Sequence, residues 1–157
     1  MSNILRPFSS LYFATLLMVL ASGVLTTYLG LRLAADSAAQ IWIGGMMSAY
    51  YLGLVAGSKI GHRLIARVGH IRAFVASAGI TTASALGHAL IDDLAIWLVL
   101  RLLVGMGMMC MYMVLESWLN EQADSKNRGT VFASYMIVSY LGLMLGQAAI
   151  SISPELD

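Results

Sequence analysis

One residue, Arg101, places a positive charge inside an apolar stretch, where burying a charge costs free energy. Arg101 interrupts a long apolar stretch eight positions after Asp93, which is about 12 Å along a helix. An arginine at the centre of a membrane span costs roughly 2.5–3.5 kcal/mol, and such residues usually face the bundle interior and mark a ligand or proton path. The alternative is a side chain that extends to the outer interface. We interpret Arg101 as functional, in a substrate or coupling network.

Several polar residues in neighbouring apolar stretches are candidates for the rest of this network. Glu116 lies fifteen residues after Arg101, about 22 Å along a helix, which is too far for direct pairing. We place it at the cytoplasmic end of its helix, either as a solvated carboxylate or as a gate residue. Uncharged polar side chains in spans most often bond to a neighbouring helix. Four of them could also line a cavity with Arg101: Tyr28, Tyr51, Tyr112 and Gln147.

The sequence contains no set of residues that is typical of an enzyme or of a cofactor site. Its single cysteine, Cys110, excludes an internal disulfide framework and a cysteine-built zinc site. The three histidines are scattered, which does not suit a metal centre. Nucleophile-elbow, zinc-protease and phosphate-loop motifs are absent from the sequence. We therefore predict neither catalysis nor a bound metal or cofactor.

The composition is that of an integral membrane protein. Of 157 residues, 59% are apolar and 11% are charged, against about 45–50% and 25% in an ordinary soluble domain. The mean hydropathy is +0.81. A net charge of +1 provides no basic field that would attract nucleic acid. Soluble enzymes, disordered tails and nucleic-acid binders are thus excluded, and the lipid bilayer is the predicted partner.

The charged residues divide the sequence into five apolar stretches. Their charge-free runs contain 25, 22, 19, 14 and 26 residues, and a helix needs roughly 20 to cross the bilayer. The fourth run reaches this length when residues 94–100 are joined to it across Arg101. The alternating pattern of a membrane barrel is missing. We predict an all-α fold in one membrane-embedded domain, residues 1–157, with helices at about 8–31, 40–60, 71–91, 94–117 and 130–151.

The basic residues predict the orientation of these helices. Positive charges collect in the cytoplasmic connections of membrane proteins. Seven of the nine Lys and Arg residues fall on one side of the predicted bundle, and Arg32 is the one on the opposite side. The N-terminus is therefore predicted in the cytoplasm and the C-terminus outside. Cleavage of the first helix as a signal peptide is disfavoured, because its apolar stretch exceeds the usual 7–15 residues.

Small residues at four-residue spacing predict how the helices pack. Close backbone approach through small residues drives helix association in lipid. The second predicted helix carries a stripe of them, and later helices carry shorter versions, so we interpret these positions as packing faces, with a hinge in the second helix as the alternative. The positions are Gly45, Ala49, Gly53, Gly57 and Gly61 in the second helix, Gly105 in the fourth, and Gly142 and Gly146 in the fifth.

Three segments resemble the major facilitator superfamily of transporters. Residues 57–72, GSKIGHRLIARVGHIR, resemble the loop between helices 2 and 3 of that family through Arg67, Gly69 and Arg72. The segment LVLRLLVGMG is similar to a family pattern in helix 4, in which Arg101 is followed by Gly105 and by a second glycine. Residues 116–136 look like the same stretch in the bacterial YcaD-type branch.

This resemblance implies a fold and a function. Family members have twelve helices in two halves, and the substrate path lies between the halves near the midplane. The sequence would supply five helices, a partial and truncated N-terminal six-helix bundle that needs a second half or an oligomer partner. The implied function is secondary active transport of a small solute across the bacterial inner membrane, coupled to protons or another ion. The resemblance implies a cytoplasmic gate formed by Arg67, Gly69, Arg72, Glu116 and Arg128.

A second function remains open at this stage. A small membrane protein that transports nothing would use the glycine-rich helix faces to associate with other membrane helices.

Overall fold

A computed structural model of the protein describes residues 8–151. The described chain forms five helices, which confirms the predicted all-α class. They are α1 (Ser9–Ala35), α2 (Gln40–Val68), α3 (His70–Leu90), α4 (Leu94–Gln122) and α5 (Arg128–Ser151).

The helices belong to two compact units, with divisions at Ser37 and Ser117. One unit contains α1, α5 and the last turns of α4, and the other contains α2, α3 and the rest of α4. Four helices are long and apolar enough to cross a membrane, namely α1, α3, α4 and α5. Helix α2 is not among the four, because its glycines, serines and tyrosines lower its mean hydropathy.

In the second unit, α2 and α4 run parallel to each other. The neighbours of each glycine are those that an added methyl group would contact. At Gly45 such a group would contact Leu98, and at Gly61 it would contact the sulfur atoms of Cys110 and Met113. Residue numbers therefore rise together along both helices. The contact extends over sixteen residues of α2, or about 24 Å. Helix α4 is long and apolar enough to span a membrane, and α2 packs along it over this length.

The first unit is built on a second parallel pair, α1 and α5. A methyl group on Gly142 would lie 2.8 Å from the Leu16 carbonyl oxygen, and one on Gly146 would lie 3.0 Å from the Val24 nitrogen. Gly23 of α1 faces the same crossing, 3.4 Å from the Gly146 Cα when a methyl group is added. Two parallel pairs are the arrangement expected when each successive helix crosses the membrane in the opposite direction.

An aromatic and aliphatic cluster closes one end of this first unit. Tyr12 donates a hydrogen bond from its hydroxyl to the Val131 carbonyl oxygen at 3.0 Å. The cluster joins the end of α4 to the starts of α1 and α5, and its buried members are Phe8, Leu119, Ala123, Val131 and Tyr135.

Three helices continue past the ends that the sequence predicts. Helix α1 ends at Ala35 rather than near residue 31. Helix α2 ends at Val68 rather than near residue 60, and α4 ends at Gln122 rather than near residue 117. Charged residues mark where a chain leaves the hydrocarbon, but lysine and arginine are good helix formers and allow the helix to continue into water. The segment 57–72, which resembles a loop of the family, is therefore almost entirely helical, and one residue, Gly69, separates α2 from α3.

Gly69 has a backbone conformation that favours glycine. Its φ is 82° and its ψ is 168°, a region that is essentially restricted to glycine. We expect Gly69→Ala to destabilise the protein by about 1–3 kcal/mol, because the new Cβ would be strained in this conformation. Thermal unfolding of the purified protein in detergent measures the effect. Gly129→Ala is the matched control, since Gly129 has neither a positive φ nor an atom of the described chain near its missing Cβ. Equal unfolding temperatures for the two variants would contradict the expectation.

Candidate functional site

The candidate site is centred on Arg101, a buried residue of an apolar helix. Its side chain is only 1% exposed, and it belongs to α4, one of the helices that are able to span the membrane. The guanidinium carbon lies 4.9 Å from the centre of the Tyr50 ring on α2. A desolvated cation over an aromatic face gains roughly 2 kcal/mol or more. The structure therefore gives the buried arginine an aromatic partner, which the sequence did not identify.

Two glycines bring these side chains together. Gly53 follows Tyr50 by about one helical turn, and Gly105 follows Arg101 by one turn. A methyl group on either glycine would lie 3.0 Å from the Cα of the other. The two backbones thus meet almost directly at this crossing. Tyr50 and Arg101 each lie about one turn before this crossing. Their side chains extend over the turn that precedes their own Cα atoms, so both extend along the same side of the crossing and the guanidinium reaches the ring.

A second close contact joins α4 to α3 on another face. A methyl group on Gly107 would clash with the Thr81 hydroxyl oxygen and would lie 3.0 Å from the Ser77 carbonyl oxygen. Gly105 therefore faces α2 and Gly107 faces α3. The two glycines that follow Arg101 therefore let α4 pack closely against two neighbouring helices.

Trp97 and His88 form a buried polar contact one turn before Arg101. The Trp97 indole nitrogen donates to the Ile91 carbonyl oxygen at 2.5 Å, and its ring lies 5.5 Å from the His88 ring. The His88 Nδ1 is 2.7 Å from the Ser84 carbonyl oxygen. A carbonyl oxygen can only accept, so this nitrogen carries a proton. The sequence interpretation assigned no role to His88. The four-residue spacing of Trp97 and Arg101 was the signal that both share one face of α4.

Comparison with known proteins identifies the family. The profile of the Major Facilitator Superfamily matches residues 8–152. The chain belongs to the major facilitator superfamily.

Three curated relatives show how much of such a protein the chain represents. It is 35% identical over 157 residues to the uncharacterized MFS-type transporter YcaD of Shigella flexneri serotype 5b, covering 99% of this chain and 41% of the relative. An uncharacterized MFS-type transporter of Enterobacter sp. (strain 638) is 34% identical over 154 residues, with coverage of 98% and 40%. YcaD of Escherichia coli O139:H28 is 34% identical, with coverage of 99% and 41%. The chain spans about two fifths of the length of these relatives. No solved structure matches it significantly.

In this major facilitator superfamily protein, the predicted network residues lie in different surroundings. Tyr51 is 63% exposed, and it is the preceding residue, Tyr50, that meets Arg101. Tyr112 is half-buried on α4, within electrostatic range of Tyr50 and Glu116. The other two belong to the first unit. There, Tyr28 accepts a hydrogen bond from the Arg32 guanidinium at 3.4 Å, and Gln147 is exposed on α5.

Four of the five residues of the predicted cytoplasmic gate lie on helices, and the fifth, Gly69, lies between two helices. Arg67 and Arg72 are exposed near the end of α2 and the start of α3, on either side of Gly69. Glu116 is exposed on α4. Arg128 is exposed as the first residue of α5, in the other unit. Arg67 and Arg72 therefore lie on two helix ends that are separated by the single residue Gly69.

Proposed function

We propose that the chain forms one wall of the solute path in a secondary active transporter of the bacterial inner membrane. The observation that carries this proposal is the buried charge of Arg101 on a helix able to span the membrane, in a member of a transporter superfamily. Charges in spans are costly, and they mark substrate paths and ion relays. The transported compound is a small solute, and the driving force is a gradient of protons or another ion.

Arg101 would act in this transporter as a fixed positive centre. The guanidinium pKa lies above about 12 in water, so arginine is the side chain that is least suited to releasing a proton. Two roles fit a permanent cation. It would bind an anionic group of the solute, or it would stabilise the ionised form of a carboxylic acid that exchanges the coupling proton.

The alternative of a non-transporting association protein is not favoured. That hypothesis requires the glycine faces to be available to other membrane proteins. Gly53 and Gly57 are packed against α4, and Gly142 and Gly146 are packed against α1. These faces are therefore occupied within the chain.

Transport by the protein expressed from its complete gene tests the proposal. Metabolite profiles of cells with and without the gene would identify compounds whose distribution across the membrane changes. Uptake of those compounds would then be measured in proteoliposomes that carry an imposed pH gradient, with and without a protonophore. Uptake that requires the protein and collapses with the gradient supports proton-coupled transport. Proteoliposomes that behave like empty liposomes for every such compound would contradict the proposal.

We propose that the α2–α3 and α4–α5 junctions face the cytoplasm. The basis is the excess of Lys and Arg on this side. In a Cys110→Ala background, Ala66→Cys and Ser125→Cys are expected to react with an impermeant maleimide only when the cytoplasmic side is exposed. Asp36→Cys, between α1 and α2, should react in intact cells whose outer membrane is permeabilised. All three positions are exposed. Labelling with the opposite sidedness would reverse the proposed orientation.

A further inference from the structure

We propose that Tyr50 is the positioning residue of Arg101. The face of its ring holds the guanidinium at the crossing of α2 and α4, so that the buried charge has one defined position in the transporter. The importance of this position for transport rests on the proposed function, but the contact between the two side chains does not.

The geometry of the contact is that of a cation over an aromatic face. The guanidinium carbon is 4.9 Å from the Tyr50 ring centre, within the 6 Å at which such contacts are effective. Arg101 is 1% exposed, so water does not compete for its charge at the surface. A cation–aromatic contact is strongest when the cation is desolvated, and this is the condition that the structure provides.

The backbone fixes this contact from both sides. Gly53 lies three residues after Tyr50, and Gly105 lies four residues after Arg101. These two glycines form the closest approach of the two helices. A methyl group on Gly105 would clash with the carbonyl oxygen of Tyr50 itself. The ring and the guanidinium are therefore attached to two backbones that cannot separate without opening the crossing. This rigidity distinguishes Tyr50 from a side chain that happens to lie near a charge.

The neighbouring tyrosine supplies a matched control. Tyr51 follows Tyr50 on the same helix, and the two rings form an edge contact with centres 5.6 Å apart. Tyr51 is nevertheless 63% exposed, whereas Arg101 lies over the ring of Tyr50. The two positions share residue type, helix and depth, and they differ in their contact with the charge.

The first test measures thermal unfolding of the detergent-purified protein from its complete gene. Tyr50→Phe keeps the aromatic face and should unfold near the wild-type temperature, while Tyr50→Leu should unfold at a lower temperature. In an Arg101→Met background, replacing Tyr50 by leucine should produce a clearly smaller shift, because the cation has gone. Tyr51→Leu should shift the temperature equally in both backgrounds. Equal shifts for Tyr50→Leu with and without Arg101 would overturn the proposal.

The second test changes the charge on the ring face with almost no change of shape. Phenylalanine and its mono-, di- and trifluorinated forms are placed at position 50, and in parallel at position 51. Fluorine withdraws electron density from the ring, so cation binding weakens step by step. At position 50 the transport rate should fall progressively by roughly 2- to 30-fold, which corresponds to about 0.5–2 kcal/mol. At position 51 the same series should leave the unfolding temperature of the protein constant.

The outcomes separate this proposal from the proposed function. A graded loss of transport at position 50, with a constant unfolding temperature in the series at position 51, supports positioning of Arg101 through the ring face, which a purely space-filling tyrosine would not produce. A flat series at position 50, in a protein that does transport, overturns the positioning role. If the wild-type protein transports nothing, the unfolding temperature of each variant in the fluorinated series is measured instead. A progressive decrease at position 50 then supports the contact, and a constant temperature overturns it.

Discussion

Gly53→Ala and Gly105→Ala are each expected to destabilise the protein by about 1–3 kcal/mol. A methyl group on Gly53 would lie 3.0 Å from the Gly105 Cα and would clash with the Leu102 carbonyl oxygen. The obstructing atoms belong to the backbone, so a side-chain rotation cannot relieve the overlap. The two helices would have to move apart along a contact that extends from Gly45 to Gly61. Because helix association in lipid depends on close packing, this separation removes much of what holds α2 to α4.

A control in the same helix isolates this effect from that of the residue type. A methyl group on Gly44 would meet no atom of the described chain within 4 Å, so Gly44→Ala should be neutral or stabilising by up to about 1 kcal/mol. Unfolding temperatures in detergent, together with the amount of inserted protein in membranes, measure both variants. If Gly53→Ala is as stable as Gly44→Ala, the two backbones do not meet at this crossing.

Small residues in the sequence indicate a packing face but not its partner. Their four-residue spacing in α2 defines one side of a helix, and the structure places that side against α4. Any neighbouring helix with a complementary surface would satisfy the same pattern, because the pattern contains no information on the partner. Gly23 of α1, in contrast, belongs to a packing face that the sequence does not indicate. It takes part in the α1–α5 crossing, yet it has no glycine one turn away to signal a face.

Charge patterns in the sequence do not locate the ends of the helices. The predicted end of α2 near residue 60 coincides with Lys59, the first charge after an apolar run. The helix itself continues to Val68, because its backbone hydrogen bonds are made within the segment in water as well as in lipid. What ends it is the conformation of Gly69. A lone glycine in a basic segment is a weak sequence signal, and only the backbone angles show why glycine is favoured there.

Tyr50 could have been identified by using the glycine stripe as a reference. It lies three residues before Gly53, and residues three or four apart share one face of a helix. Tyr51 is turned away from that face by about 100°, since a helical turn contains 3.6 residues. The sequence interpretation named Tyr51 as a polar residue in an apolar stretch, and polarity alone does not distinguish adjacent tyrosines. Their positions relative to the glycine stripe do distinguish them, because Tyr50 falls on the packed face of the helix.

Arg101→Met is expected to reduce transport by about a hundredfold or more, while membrane insertion stays at or above the wild-type level. Transport and membrane insertion are expected to change in opposite directions for a physical reason. Removing a buried charge spares roughly 2.5–3.5 kcal/mol of insertion cost, whereas loss of a buried charged contact with a solute or coupling group costs roughly 2–5 kcal/mol. Arg101→Lys keeps the charge but loses the planar fork that stacks on Tyr50, so a loss of roughly tenfold is expected.

Uptake in proteoliposomes, normalised to the amount of inserted protein, measures these variants of Arg101. Lys59→Gln is the matched control, because it removes a cation from an exposed position on α2 and should leave the rate unchanged. A structural arginine would give a different pattern, in which activity follows insertion and methionine is tolerated as well as lysine. Transport by Arg101→Met at the rate of Lys59→Gln would show that the guanidinium only anchors α4. The buried contact with Tyr50 would then be a packing feature of the bundle, and the solute path would have to be sought among other residues.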